Sequence, residues 1–249
     1  MKTEDIVYRA GETICKGFLA MDDSARAQKR PAVVIAHTWK GADAFVKDKA
    51  QELAKLGYVG FAADLFGEGH VAKDDVEAKA LIAPLFVDRK MLRERIVAAY
   101  ETMENHPAVD ANRIAAIGFC FGGLTVIELL RSGVNVKAIV SFHGIFGNQL
   151  GDLQAINEPA QKMKGAALLL HGHQDPFVPQ EDILAIQEEF SRANIDWQMY
   201  IYGNTVHSFT NPQAHDAPAG LVYNERAAKR SWQSMQVFLQ ECLSPKGNI

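Results

Sequence analysis

The chain has 249 residues, of which 48% are hydrophobic and 22% charged, with a formal net charge of −4 and a pI near 6.1. That composition describes a globular protein, with no basic footprint for nucleic acid and no polybasic patch for a membrane surface. The start, Met1-Lys2-Thr3-Glu4-Asp5, lacks the apolar core of a signal peptide, and no apolar run approaches the ~18 residues of a membrane span. Cys15, Cys120 and Cys242 are odd in number and far apart, which reads as a reduced, cytoplasmic thiol protein rather than a disulfide scaffold or zinc ribbon.

In chain order, a run around Thr13–Leu19 reads as an antiparallel edge strand. Further strands are expected at Pro31–Ala36, Val59–Ala63, Arg113–Gly118, Ala138–Phe142, Ala166–His171 and Trp197–Ile201. Amphipathic helices are expected at Asp43–Leu56, Asp88–Asn105, Glu181–Ala193 and Asn224–Cys242, the last with Trp232, Met235, Phe238 and Leu239 at three- and four-residue steps. The segment Phe66 to Phe86, with Gly67, Gly69 and Pro84, reads as part of a lid. Alternating strands and helices predict a mostly parallel twisted sheet with helices on both faces, in a single domain over 1–249. Ligands of such sheets bind beyond the carboxyl ends of the strands.

Gly118-Phe119-Cys120-Phe121-Gly122-Gly123 stands between the apolar run Ile114–Ile117 and the helical run Leu124–Leu130. Strand, sharp turn and helix with a nucleophile at the tip is the form of the G-x-S-x-G elbow, here with a thiol. The tip is strained, so its neighbours two positions away must be small, and Gly118 and Gly122 are. The helix N-terminus behind Cys120 favours a thiolate and a developing oxyanion. Alone, the motif is also compatible with a packed cysteine beside a glycine turn.

Two later strand ends supply partners. Asp175 lies in His171-Gly172-His173-Gln174-Asp175-Pro176 and His207 in Thr205-Val206-His207-Ser208-Phe209. The order nucleophile, acid, histidine is that of the α/β-hydrolase triad. A thiol needs a base to take or share its proton, and that imidazole needs a carboxylate to fix its tautomer and orientation. The expected catalytic set is therefore Cys120, Asp175 and His207 within an α/β-hydrolase fold. His171-x-His173-x-Asp175 also resembles metal ligation, but Pro176 stands where the metallo-hydrolase pattern carries another histidine, so no metal is expected. An oxyanion hole needs two N–H groups, expected from Phe121 and from Trp39 in the loop His37–Gly41. No dinucleotide or P-loop motif is present, and no cofactor is expected.

At this point the chain resembles the dienelactone hydrolase family, a cysteine-dependent branch of the α/β hydrolases. The resemblance runs from about Pro31 to Leu243. It includes Ala36-His37-Thr38-Trp39-Lys40-Gly41, Ala63-Asp64-Leu65-Phe66-Gly67, the elbow, Ser141-Phe142-His143-Gly144, the segment from His171 to Pro179, and Val206-His207-Ser208-Phe209-Thr210-Asn211-Pro212. It implies Cys120 as nucleophile, His207 as base and Asp175 as its partner, without metal or organic cofactor. This chain departs from the family at two positions. Thr38 stands where members commonly carry a glutamate that helps generate the thiolate. Asn211 stands where an arginine holds the substrate carboxylate, so a dienelactone with a free carboxylate is not the expected substrate unless Arg89 or Arg93 supplies the charge.

The chemistry expected is acyl transfer through a thioester on Cys120. A thiolate attacks readily and leaves readily, so lactones, aryl esters and thioesters suit it better than alkyl esters or amides. The pocket is expected to be small and apolar, drawing on Thr38, Phe66, Arg89, Phe146, Phe177, Phe209 and Asn211 besides the oxyanion donors. A non-enzymatic alternative is a degenerate hydrolase that senses redox state or binds a small molecule through Cys120. The expected partner is a small ester or lactone, with no nucleic acid or membrane, and homodimer and monomer both remain open.

Overall fold

The computed structural model describes residues 1–23, 28–147 and 163–244. Two strands open the chain, β1 (Lys2–Ala10) and β2 (Thr13–Met21), joined by a tight turn through Gly11. Only the second of these was expected, and as the edge strand; it is antiparallel but lies between β1 and β4, and β1 takes the edge. β1 is largely exposed and studded with Lys2, Glu4, Asp5 and Arg9, so its pattern does not announce a strand.

The parallel strands follow: β3 (Arg30–Ala36), β4 (Val59–Ala62), β5 (Val109–Phe119), β6 (Ala138–Phe142), β7 (Ala166–Gly172) and β8 (Trp197–Tyr202). They join β1 and β2 in one eight-stranded sheet of order β1-β2-β4-β3-β5-β6-β7-β8, with only β1 and β2 antiparallel to their neighbours. β5 begins at Val109, earlier than the expected Arg113, because Val109 pairs with Arg30 across a register shift in β3. A short hairpin, β9 (His215–Asp216) with β10 (Leu221–Val222), stands apart from the sheet.

Helices α1 (Ala44–Lys55) and α6 (Glu225–Leu243) cover one face; α2 (Asp75–Val87), α3 (Arg89–Glu104), α4 (Phe121–Arg131) and α5 (Gln180–Arg192) cover the other. The strands show why both faces must be covered. Val33 and Ile35 enter the core under α1 and α6, while Ala32, Val34 and Ala36 enter the core under the other helices, all fully buried. Helix ends fall at side-chain caps: Asp43 accepts from the Val46 N–H, Asp88 from Met91 and Asn224 from Ala227. The expected helix limits at Asp43 and Asp88 were therefore the caps themselves. α2 occupies much of the segment expected to form a lid.

Every residue of α4 is buried, including Glu128 and Arg131. Those charges are paired. Arg131 bonds Glu128 at 2.7 Å and Glu189 of α5 at 2.5 Å, and Arg93 of α3 reaches Glu128 at 2.9 Å. Three helices are thus tied together behind the turn that carries Cys120, which positions that turn against the sheet.

Candidate active site

Cys120 occupies the step from β5 to α4 with φ 57° and ψ −116°, a left-handed conformation costly for a side chain with a Cβ. Two close approaches hold it there. A Cβ added at Gly118 would sit 1.9 Å from the Gly122 carbonyl oxygen, and one added at Gly122 would sit 2.1 Å from that of Ala36. Only glycine permits this crossing of strand and helix. The Cys120 N–H donates to the Phe142 carbonyl at 3.1 Å, pinning the turn to β6. The sulfur therefore stands at the carboxyl end of the sheet, half-buried, at the N-terminus of α4.

Asp175 and His207 come from the loops after β7 and β8. Asp175 divides its carboxylate: one oxygen accepts from the Phe177 N–H at 2.9 Å and the other meets His207 Nδ1 at 2.6 Å. Both side chains are buried. The short contact places the proton of His207 Nδ1 toward Asp175 and leaves Nε2 for the reacting side. Nε2 is buried and forms no hydrogen bond with a described residue. Cys120 also acts on the ring. Burial alone would favour the neutral imidazole. The neighbouring Cys120 sulfur and the Asp175 carboxylate outweigh it, and His207 is pushed up to about 10.

Two buried histidines flank this centre. His143, with φ 38°, sets its ring edge-on to His207, and its Nε2 lies 2.7 Å from Thr210 Oγ1. His37 accepts from the Leu65 N–H through Nε2 at 3.2 Å, so its Nδ1 carries the proton and donates to the Thr38 carbonyl at 2.6 Å. Burial pushes His37 down to about 4, which keeps it neutral. Neither residue was marked as functional by the sequence; both matter here because loops distant in sequence converge on them.

The loop His37–Gly41 lies across from the elbow. Its turn is closed by the Thr38 carbonyl and joined to the next segment by a bridge between Gly41 and Val71 and by the Ala72 N–H donating to Lys40 at 2.8 Å. Thr38 offers only a hydroxyl, 3.5 Å from the Lys40 N–H. The N–H groups of Phe121 and Trp39 donate to no described residue. Asp64 organises the adjacent loop, accepting from the N–H groups of Lys16, Phe66, Gly67 and Gly69 at 2.7 to 3.0 Å.

Several residues expected to line the pocket gather around this centre. Phe66 packs against His37 with ring centroids 4.7 Å apart, Phe177 against His207 at 4.9 Å, and Phe146 against His171 at 5.7 Å. Phe177 is 43% exposed, whereas Phe146 is buried. Phe86, which the sequence placed only at the end of a lid, meets Phe121 at 5.2 Å. Arg89 is buried, donates to the Gly147 carbonyl at 3.2 Å and stacks over Phe86. Burial lowers it to about 10.

Other residues lie elsewhere. Phe209 belongs to the core on the α1/α6 face, fully buried between His143 and Tyr202, because the positive φ of Ser208 turns the chain inward. Asn211 closes its own turn by accepting from the Gln213 N–H at 2.9 Å. Arg93 is engaged with Glu128 behind the elbow. His171 is buried against Phe146 and His173 is exposed, and among the described residues no cluster of His, Cys, Asp or Glu is arranged to hold a metal ion. No described helix is long and apolar enough to cross a membrane.

Residues 15–243 match the model of the dienelactone hydrolase family. A solved structure named m3DLH is 39% identical and superimposes with a TM-score of 0.90, covering 98% of this chain and 99% of its own. A dienelactone hydrolase-like promiscuous phosphotriesterase from metagenomic libraries is 35% identical, with the same TM-score and coverage. A Bradyrhizobium sp protein named "Probable 2-oxo-3-(5-oxofuran-2-ylidene)propanoate lactonase" is 26% identical over 226 residues, 88% of this chain and 87% of its own.

Proposed function

From the premise that this chain belongs to the dienelactone hydrolase family and is a hydrolase of lactones and esters, we propose that it works through a Cys120-His207-Asp175 triad and a thioester acyl-enzyme. The observation that carries the reading is the 2.6 Å contact of Asp175 with His207 Nδ1, which leaves Nε2 uncommitted beside a sulfur held at the tip of a strained turn.

In the first step the Cys120 thiolate attacks the substrate carbonyl carbon. The carbonyl π electrons pass to oxygen, where the N–H groups of Phe121 and Trp39 receive the charge. Collapse of the intermediate expels the alkoxide, phenoxide or thiolate, which takes its proton from His207 Nε2, and leaves the acyl group on sulfur. Neutral His207 then removes a proton from water as it attacks the thioester, and collapse returns the thiolate and the imidazolium. Asp175 holds the ring in one orientation throughout.

This chain replaces the family's glutamate with Thr38, and His207 carries the activation instead. A ring pushed up to about 10 carries the proton that the leaving group needs. The substrate class follows from the nucleophile. Thiolate is a better leaving group than an alkoxide, so the intermediate goes forward only when the substrate's own leaving group is good. Enol lactones, aryl esters and thioesters meet that condition.

The test is a comparison of wild type and Cys120→Ser on p-nitrophenyl acetate and ethyl acetate. Wild type should turn over the aryl ester with strong preference, and the serine variant should lose most of that turnover. A wild-type preference for the alkyl ester would sink the reading.

A further inference from the structure

The two edges of the eight-stranded sheet are finished differently. β1 carries Lys2, Glu4, Asp5 and Arg9, the charged side chains that discourage a second sheet from pairing there. β8 reads Trp-Gln-Met-Tyr-Ile-Tyr, without charge, proline or glycine, and its Tyr200 and Ile201 are 46% and 50% exposed. An edge of that composition is a template for another strand.

Its backbone shows which groups it offers. The Asp196 carbonyl accepts from the Ala167 N–H and the Tyr202 carbonyl from the His173 N–H, so the even-numbered residues turn their polar groups toward β7. Along an extended strand, successive residues direct theirs to opposite sides. The N–H and C=O groups of Trp197, Met199 and Ile201 therefore face outward, and among the described residues β7 is the one strand beside β8.

Charge is polarised along this edge. Arg226, Lys229 and Arg230 outnumber the single acid Glu225 in lining a groove of about 700 Å³ at the Tyr202 end, where Arg230 acts on the Tyr202 hydroxyl. Asp196 and Glu241 stand at the other end, where both act on Cys242. Between them, Tyr200, Gln233 and Val237 line a second groove of about 430 Å³, and Val237 is 67% exposed.

The geometry points to a second copy of this chain as the occupant, with β8 pairing antiparallel to its own copy about a two-fold axis at Met199. Each Met199 then exchanges backbone hydrogen bonds with the other, each Trp197 does so with the opposing Ile201, and the two sheets become one. The two-fold reverses the edge end for end, which brings Asp196 and Glu241 of one copy to the arginines of the other. That reversal is the argument for self-pairing: a basic or an acidic peptide would match one end only, and a parallel copy would set like charges together.

Sedimentation velocity of the full chain across a micromolar concentration series tests this. Wild type is expected to sediment as a dimer. Met199→Pro should yield monomer, because it removes the outward N–H at the two-fold and an edge strand tolerates proline at such a position; Met199→Ala, which keeps that N–H but loses the same core packing and the contact of the sulfur with Gln187, should stay dimeric. Arg230→Glu alone and Glu241→Arg alone should each weaken the dimer roughly tenfold or more, and the two in one chain should restore it, since the two-fold pairs the exchanged charges. Circular dichroism and aryl-ester turnover, expected to be unchanged, report that each variant is folded. A wild type that stays monomeric throughout overturns the proposal. So does a dimer that neither Met199→Pro nor the charge reversals disturb.

Discussion

His143 stands edge-on to His207 with ring centroids 5.1 Å apart, one neutral imidazole beside one charged. Burial and the positive charge of His207 push His143 well below the usual histidine range, while Cys120 and Asp175 hold His207 well above it. The two rings are thus driven apart in charge by what surrounds them, and the neutral one forms a wall of the charged one. Its own position is fixed by Thr210 and by its N–H, which donates to the Leu170 carbonyl at 2.8 Å. His143→Ala removes that wall and is expected to lower kcat by roughly 10- to 100-fold through misorientation of the base. His143→Phe, which keeps a ring there, should recover most of the loss. Steady-state kinetics on an aryl ester measures both, and a loss confined to KM would place His143 outside the orientation of the base.

Asp175→Asn should preserve the fold and lower kcat by roughly 10²- to 10⁴-fold, because an amide cannot stabilise the charged ring or fix its tautomer. The melting profile should move little beside the loss of turnover. Activity near the wild-type value would mean that the 2.6 Å contact with His207 is structural.

The pH dependence of stability has a definite sign. His207 titrates near 10 in the folded protein against a reference value of 6.5, so the folded state holds a proton that the unfolded state gives up in between. That contribution is complete below pH 6.5 and is lost as pH rises toward 10. Thermal melts across this interval should show Tm declining in wild type. Cys120→Ala removes the negative partner and should flatten the decline; equal slopes in both proteins would assign it to other groups.

Gly122→Ala places a Cβ 2.1 Å from the Ala36 carbonyl oxygen, in the backbone of β3. Neither side of that contact is a flexible side-chain end, so the elbow must open. We expect a destabilisation of several kcal/mol, in the range of strain at a constrained backbone position, with esterase activity lost even where the protein still folds. Differential scanning calorimetry with a parallel activity assay reads the two effects separately.

The central strands were legible because each is a continuous apolar run, such as Ala32-Val33-Val34-Ile35-Ala36, that only a sheet covered on both faces accounts for. The elbow was legible because glycine is forced at Gly118 and Gly122 by approaches the chain makes within a few residues. β1 was not, since its charges serve the sheet edge and break the apolar alternation. α2 was read as part of a lid because its apolar residues, Ile82 and Leu85 among them, do not form a clean stripe and Pro84 lies inside it. Phe209 follows a strand just as Phe177 does, and only the left-handed backbone of Ser208 sends it into the core. The parts played by His37, His143 and Asp64 depend on loops meeting in space, which local pattern does not record.

The most direct measurement is intact-mass spectrometry of the protein quenched with acid during turnover of p-nitrophenyl acetate, with peptide mapping. A Cys120 thioester should appear as one acetyl adduct on the peptide carrying Cys120, transient in wild type and absent in Cys120→Ala. Steady turnover of the ester with no adduct at any quench time, or undiminished turnover by Cys120→Ala, would contradict it.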